Sequence, residues 1–279
     1  TMDNLVAGFT DFANKVPFFG FSALCLDHPV VQELLPDIRR RFITYGLSAQ
    51  AEVQAQNIKF DGIESKFDVI WQEKNLGSIA LHMPGLHNIT NALAAVTVSL
   101  ELGVEFSELQ QALQGFTGVD RRFSIRGMVE VEPGQPPVII IDDYGHHPAE
   151  IQATLAGAAA AWPGQRILTV FQPHRYTRVR DLHTDFCRSF NDATHVVVCP
   201  IYRAGEKPIA GIDHHNLADG LTGHGHRSVV VAESLSDVVD HLSLVAQAGD
   251  VIITLGAGNV NQVCEELLTT LRADLLPAK

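Results

Sequence analysis

The sequence predicts an α/β protein in two parts: an antiparallel sheet with helices up to about residue 119, then a doubly wound, mostly parallel sheet from about residue 120 onward. Three observations carry this expectation. In the first part "AEVQAQNIKF" and "SKFDVIWQ" alternate apolar and polar residues around a "DG" turn, the pattern of strands with one solvated face. In the second part the runs "VIIID", "RILTVF", "HVVVC", "SVVVA" and "DVIITL" are apolar throughout and separated by helical stretches, as in parallel strands covered on both faces. The 279 residues, 46% of them hydrophobic, suffice for large cores and exclude a disordered or fibrous chain.

The elements follow in order. The opening "TMDNLVAGFTDFANK" has no charged, apolar and cleavage regions of a secretory signal, and reads as the interior of a longer chain entering a helix. After the two alternating strands comes a third, "GSIALHM". From Leu86, "LHNITNALAAVTVSLELG" has helical spacing and stops at Gly103, a natural C-cap; a second helix, about Glu105 to Leu113, stops at Gly115. "GFTGVDRRFSIRG" reads as a charged hinge, with the domain boundary near residues 119 to 123. Beyond it the helices are "PAEIQATLAGAAAAW", "RDLHTDFCRSFND", "HHNLADGL", "LSDVVDHLSLVAQ" and "NVNQVCEELLTTLR".

A net charge of -12 argues against general affinity for nucleic acid or anionic membranes, so an anionic ligand needs a local cluster of donors. The apolar runs are too short to span a bilayer. Cys25, Cys187, Cys199 and Cys264 form no C-x-x-C pair, zinc spacing or disulfide framework, which fits thiols in a reducing cytoplasm. No metal site is expected from these residues.

In a doubly wound sheet the ligand lies beyond the carboxyl ends of the strands. Three of those ends are rich in chemistry: "DDYGHHP", "QPHRYTR" and "GAGN". Each has a bland reading: Asp143 as a helix cap, His174 and Arg175 as solvated loop residues, Gly256 and Gly258 as parts of a tight turn. Their convergence on one rim favours a site. Arg175, Arg178 and Arg180 beside His174 form a basic cluster in an acidic protein, and guanidinium forks suit carboxylate and phosphate groups. "GAGN" before a helix can offer backbone N–H groups to an anion. Neither a "GxxxxGK[ST]" loop nor a "GxGxxG" after the first strand of the second part occurs in these residues.

Together "MPGLHNITNALAA", "GVDRRF", "DDYGHHPAEI", "QPHRYTRVRDL" and "GAGN" resemble the Mur ligases in identity and order over nearly the whole chain. The resemblance implies that residues 1 to 119 are the C-terminal part of a central ATPase domain. Residues 120 to 279 would then be a Rossmann-like, amino-acid-binding C-terminal domain. It also implies ATP and Mg2+ as cofactors, and small-molecule substrates. The motifs are nearest the member activity that joins L-alanine to the carboxylate of UDP-N-acetylmuramate, through an acyl phosphate, in cytoplasmic peptidoglycan synthesis. The family's "GTHGKT" phosphate loop and its magnesium-binding glutamate and histidine are not among these residues, so the 279 residues alone are expected not to turn over.

By the same resemblance Asn88 and Asn91 contact adenine, with His87 beside them, and Arg122 reaches the nucleotide phosphates. Asp143, or its neighbour Asp142, lies near the ribose or hinge. His174, Arg175 and Arg178 take the amino-acid carboxylate and the developing phosphoryl charge. Tyr144, Gly256 and Asn259 shape the substrate pocket with His146 and His147, either of which is a candidate base for the incoming amine. Two other readings remain: a murein peptide ligase that attaches a recycled tripeptide to the same sugar, and a non-catalytic module that binds an amino acid or nucleotide. Folylpolyglutamate synthetases share the architecture, but the motifs fit them less well.

Overall fold

The computed structural model describes residues 2–273. It divides into two compact units between Thr117 and Gly118.

The first unit opens with α1 (Met2–Asn14), β1 (Ser22–Cys25), α2 (Pro29–Leu34) and β2 (Phe42–Gly46). Then come β3 (Val53–Asp61), β4 (Glu64–Trp71), β5 (Lys74–Leu81), α3 (Leu86–Glu101) and α4 (Phe106–Gln114). The five strands form one sheet in sequential order. β3, β4 and β5 are antiparallel, as the alternation predicts, but β1 and β2 add two parallel strands, so the sheet is mixed. The sequence reading missed these two because they are short, and all four residues of β1 are half-buried, which leaves no alternation to detect. Phe67, Val69, Ile79 and Leu81 point to one face and pack on Ile89, Leu93, Val96 and Leu100 of α3 and Leu109 of α4.

The second unit comprises β6 (Ser124–Val129), β7 (Val138–Asp143), α5 (Pro148–Ala161), β8 (Ile167–Phe171), α6 (Tyr176–Asp181) and α7 (His183–Cys187). It continues through β9 (His195–Val198), α8 (His214–Gly223), β10 (Val229–Val231), α9 (Leu235–Val245), β11 (Val251–Leu255) and α10 (Gln262–Ala273). The sheet order is β10-β9-β8-β11-β7-β6, parallel except for β6. Side-chain alternation builds two cores. Ile139, Ile141, Phe171, Val196 and Ile253 face α5, α7 and α8, whereas Val138, Ile140, Val170, Val197 and Ile252 face α9 and α10. Both faces are therefore covered, which explains why β7, β8, β9 and β11 are apolar at most positions.

Two local expectations change. "SIRG", assigned to the hinge, begins the antiparallel edge strand β6. "RDLHTDFCRSFND" is not one helix: the turns α6 and α7 meet at Leu182, whose φ of -116° and ψ of 19° break the helical path.

Candidate active site

β11 lies between β7 and β8, with Leu255 in register with Asp143 on one side and Phe171 on the other. Neighbouring strands stand about 4.8 Å apart. The loops "DDYGHHP", "GAGN" and "QPHRYTR" thus leave three adjacent strands at one end of the sheet.

The "DDYGHHP" loop is fixed by its own carboxylates. Asp142 is fully buried and accepts from the Thr254 hydroxyl (2.8 Å), Arg121 Nε (3.0 Å) and Arg126 Nη2 (3.2 Å). Asp143 accepts the N–H groups of Phe123 at 2.8 Å and Gly145 at 2.7 Å. Burial pushes its carboxyl above the usual range, against the pull of those donors and of Arg122. Oδ2 thus ties the turn to the hinge at Phe123 while Oδ1 braces the turn itself, so Asp143 stands at the hinge, one of the two places expected for it.

The two histidines separate in role. His147 is exposed and caps α5: its Nδ1 accepts the Ala149 N–H at 3.3 Å, while Glu150 Oε2 accepts the N–H groups of His146 (2.9 Å) and His147 (3.1 Å). His146 turns toward the rim, its ring 5.6 Å from that of His174 and 5.4 Å from that of Tyr144. His146 Nδ1 lies 2.9 Å from the Tyr144 carbonyl and 3.5 Å from Glu150 Oε2. Both partners only accept, so in the neutral ring the proton sits on Nδ1 and Nε2 keeps a lone pair.

His174 has the opposite tautomer. Its Nδ1 is 3.4 Å from Arg178 Nη1, which can only donate, so in the neutral ring the proton sits on Nε2. Burial lowers its pKa from the ordinary 6.5, and the charges of His146, Arg178 and Arg175 lower it further, which favours that neutral ring. The ring stacks on Tyr202 at 5.6 Å and 9°. Arg175 N-caps α6 with φ 70°, donates its N–H to the Tyr202 carbonyl at 2.9 Å, and leaves its guanidinium exposed. Arg180 is drawn off by Asp181 at 2.7 Å. Among the described residues neither Arg175 nor Arg178 pairs with a carboxylate. Glu206 instead accepts the Thr177 N–H (3.0 Å) and hydroxyl (2.6 Å), and these bonds hold its carboxyl below the usual range.

In "GAGN" the glycines are required by space. A Cβ on Gly256, where φ is 152°, would meet the Gln172 carbonyl at 2.8 Å, and one on Gly258 would meet the Tyr202 ring at 2.7 Å. Arg121 donates to the carbonyls of Gly256 (2.7 Å) and Gly258 (3.1 Å) and lies 5.0 Å from the Tyr144 ring centroid. Asn259 is exposed, and its Oδ1 accepts from Gln172 Nε2 at 2.9 Å. Arg122 is exposed, 3.5 Å from Glu150 and 5.7 Å from the Tyr144 ring centroid. Sequence reasoning missed Arg121, Gln172, Tyr202 and Glu206. The "DRR" doublet flags two arginines without distinguishing them, and Tyr202 and Glu206 lie in a loop with no motif.

In the first unit Asn88 is buried and its amide donates to the Pro84 carbonyl at 2.7 Å, fixing the entry to α3. Asn91, three residues on, is exposed, and His87 is half-buried. Asn91 therefore has the open amide of the pair.

A mixed sheet with a helical layer, followed by a doubly wound domain with imidazoles and guanidiniums in the loops that leave β7 and β8, defines a two-domain α/β protein. Residues 1–99 match the Mur ligase middle domain, and residues 121–258 match the Mur ligase, glutamate ligase domain. The chain belongs to the Mur ligase family. It is 46% identical over 271 residues to the UDP-N-acetylmuramate–L-alanine ligase of Syntrophotalea carbinolica, covering 97% of this chain and 58% of that protein. The chain thus spans little more than half the length of the curated relatives it matches. Among solved structures, the UDP-N-acetylmuramate–alanine ligase MurC of Thermotoga maritima aligns with TM-score 0.70 at 23% identity, covering 88% of this chain and 55% of that one. The MurF ligase of the same organism, in complex with ADP, aligns with TM-score 0.74 at 14% identity over 98% of this chain and 58% of that one. These two likenesses concern the fold. Among the described residues no helix is long and apolar enough to cross a membrane.

Proposed function

We propose that these residues belong to a cytoplasmic ATP-dependent ligase that joins L-alanine to the carboxylate of UDP-N-acetylmuramate in peptidoglycan synthesis. The supporting observation is the rim cluster: Arg175 and Arg178, without carboxylate partners among the described residues, beside the imidazoles of His146 and His174. The relatives' names supply the substrates.

ATP, when bound, supplies the phosphoryl group that activates the sugar carboxylate. The exposed amide of Asn91 fits an adenine edge, since it both donates and accepts, and Asn88 shapes the turn behind it. The exposed guanidinium of Arg122 suits the phosphates. Mg2+ needs a set of oxygen ligands. The one group of three possible ligands found among the described residues contains two imidazoles, so these residues do not form the magnesium site.

The rim acts on the amino acid. Arg175 and Arg178 hold its carboxylate with the His174 Nε2–H, and the His146 Nε2 lone pair takes the proton that the amine must lose. Tyr144 and Tyr202 wall the pocket, while Gly256, Gly258 and Asn259 close it from the middle strand. Holding the nucleophile in line and donating to developing oxyanion charge are the main catalytic contributions available here.

In the full-length protein Arg178→Ala is expected to raise the KM for L-alanine at least about tenfold, the loss of one charge-assisted contact. An unchanged KM would sink this reading of the rim. Comparing L-alanine with a tripeptide in the same assay separates the proposal from the murein peptide ligase reading. The 279 residues alone contain no phosphate loop and are expected to show no ATP-dependent ligation.

A further inference from the structure

Outside the rim, three potential metal ligands converge that no part of the ligase mechanism uses. His214 and His215 are the first two residues of α8, and Glu233 lies in the turn between β10 and α9. His214 Nε2 stands 3.4 Å from Glu233 Oε2, and His215 Nε2 stands 2.9 Å from Oε1. All three ligand atoms lie within 4.8 Å of one another. Successive residues on a helix point about 100° apart and do not ordinarily converge on one group. Here the imidazoles close to 4.4 Å between centroids and share one carboxylate.

We propose that His214, His215 and Glu233 form a binding site for a divalent transition-metal ion of the zinc type. The His214 side chain is only 13% exposed, and its Nε2 is buried without a hydrogen-bond partner, an orphan that a metal bond would satisfy. Its 3.4 Å separation from the carboxylate is a poor hydrogen bond. It matches the ligand-to-ligand edge, about 3.3 Å, of a tetrahedron with bonds of about 2.0–2.1 Å. Two imidazoles and a carboxylate select zinc, cobalt or nickel over magnesium or calcium. Three protein ligands leave a fourth position to water, and the exposed His215 and Glu233 give an ion its path in. A bound ion would clamp the start of α8, where the Tyr202 and Glu206 loop ends, to the turn after β10.

Cobalt(II) is the direct probe, because a tetrahedral site gives visible d–d absorption. Titration of the purified chain is expected to show one saturable equivalent, displaced by Zn2+ and not by Mg2+, with a raised melting temperature in Zn2+. His215→Gln and Glu233→Gln, both at exposed side chains, are expected to weaken that equivalent at least about tenfold. The remaining histidines serve as the background for non-specific binding. Either variant alone suffices if the other fails to fold. The proposal is overturned if the wild type shows no tetrahedral cobalt spectrum at millimolar metal, or if a folded variant binds as the wild type does.

Discussion

At His146 and His147 the sequence offers two equivalent imidazoles, and hydrogen bonding makes them different. His147 lends its Nδ1 to a helix N-terminus, whereas His146 uses Nδ1 as a donor and leaves Nε2 toward the rim. In the full-length protein His146→Asn is expected to depress amide formation while acyl phosphate formation continues, which partial-reaction assays would resolve. His147→Asn should instead leave the rate near wild type, because Asn is itself a good cap. Equal effects on amide formation would remove the distinction. Arg121 is the residue that the sequence concealed. It binds Asp142, Gly256 and Gly258 at once, and without it a fully buried carboxylate keeps only Arg126 as a cationic partner. Arg121→Met is expected to cost about 3 kcal/mol, read from the urea midpoint of the chain. No local pattern separates Arg121 from Arg122; only the fold decides which guanidinium turns inward.

Among the elements, β9 and α9 are joined by an imidazole pair. His195 Nε2 lies 2.8 Å from His241 Nε2, and His195 Nδ1 lies 2.7 Å from the Ser228 hydroxyl. Burial, with a smaller push from the His241 charge, takes His195 from 6.5 down to about 4. Between these values the unfolded chain binds the proton and the folded one does not. The stabilising contribution is therefore complete above about pH 6.5 and is lost as pH falls toward 4. Urea midpoints of the wild type should fall more steeply over this window than those of His195→Gln; parallel slopes would mean that other groups govern acid sensitivity. The helices were largely legible, because α3 and α4 carry full apolar periods and stop at glycine positions. The strands β1, β2 and β6 were not. Short, half-buried segments lack a repeat, and edge or parallel pairing depends on partners distant in sequence.

At the scale of the molecule each unit has its own core. Residues 118–279 have apolar layers on both faces of the sheet, and this segment expressed alone is expected to unfold in one cooperative urea transition. A gradual, non-cooperative loss of structure would show that it depends on the first unit. The sequence by itself determined that strands end abruptly in "DDYGHHP", "QPHRYTR" and "GAGN". It did so because buried apolar runs and turn residues are local properties of the chain. Only the tertiary structure decided that β11 inserts between β7 and β8, that His146 and not His147 faces His174, and that Arg121 takes the glycine carbonyls. Those outcomes depend on strand order, register and the direction of individual N–H and C=O groups, which contacts between residues more than a hundred positions apart create and no short stretch encodes.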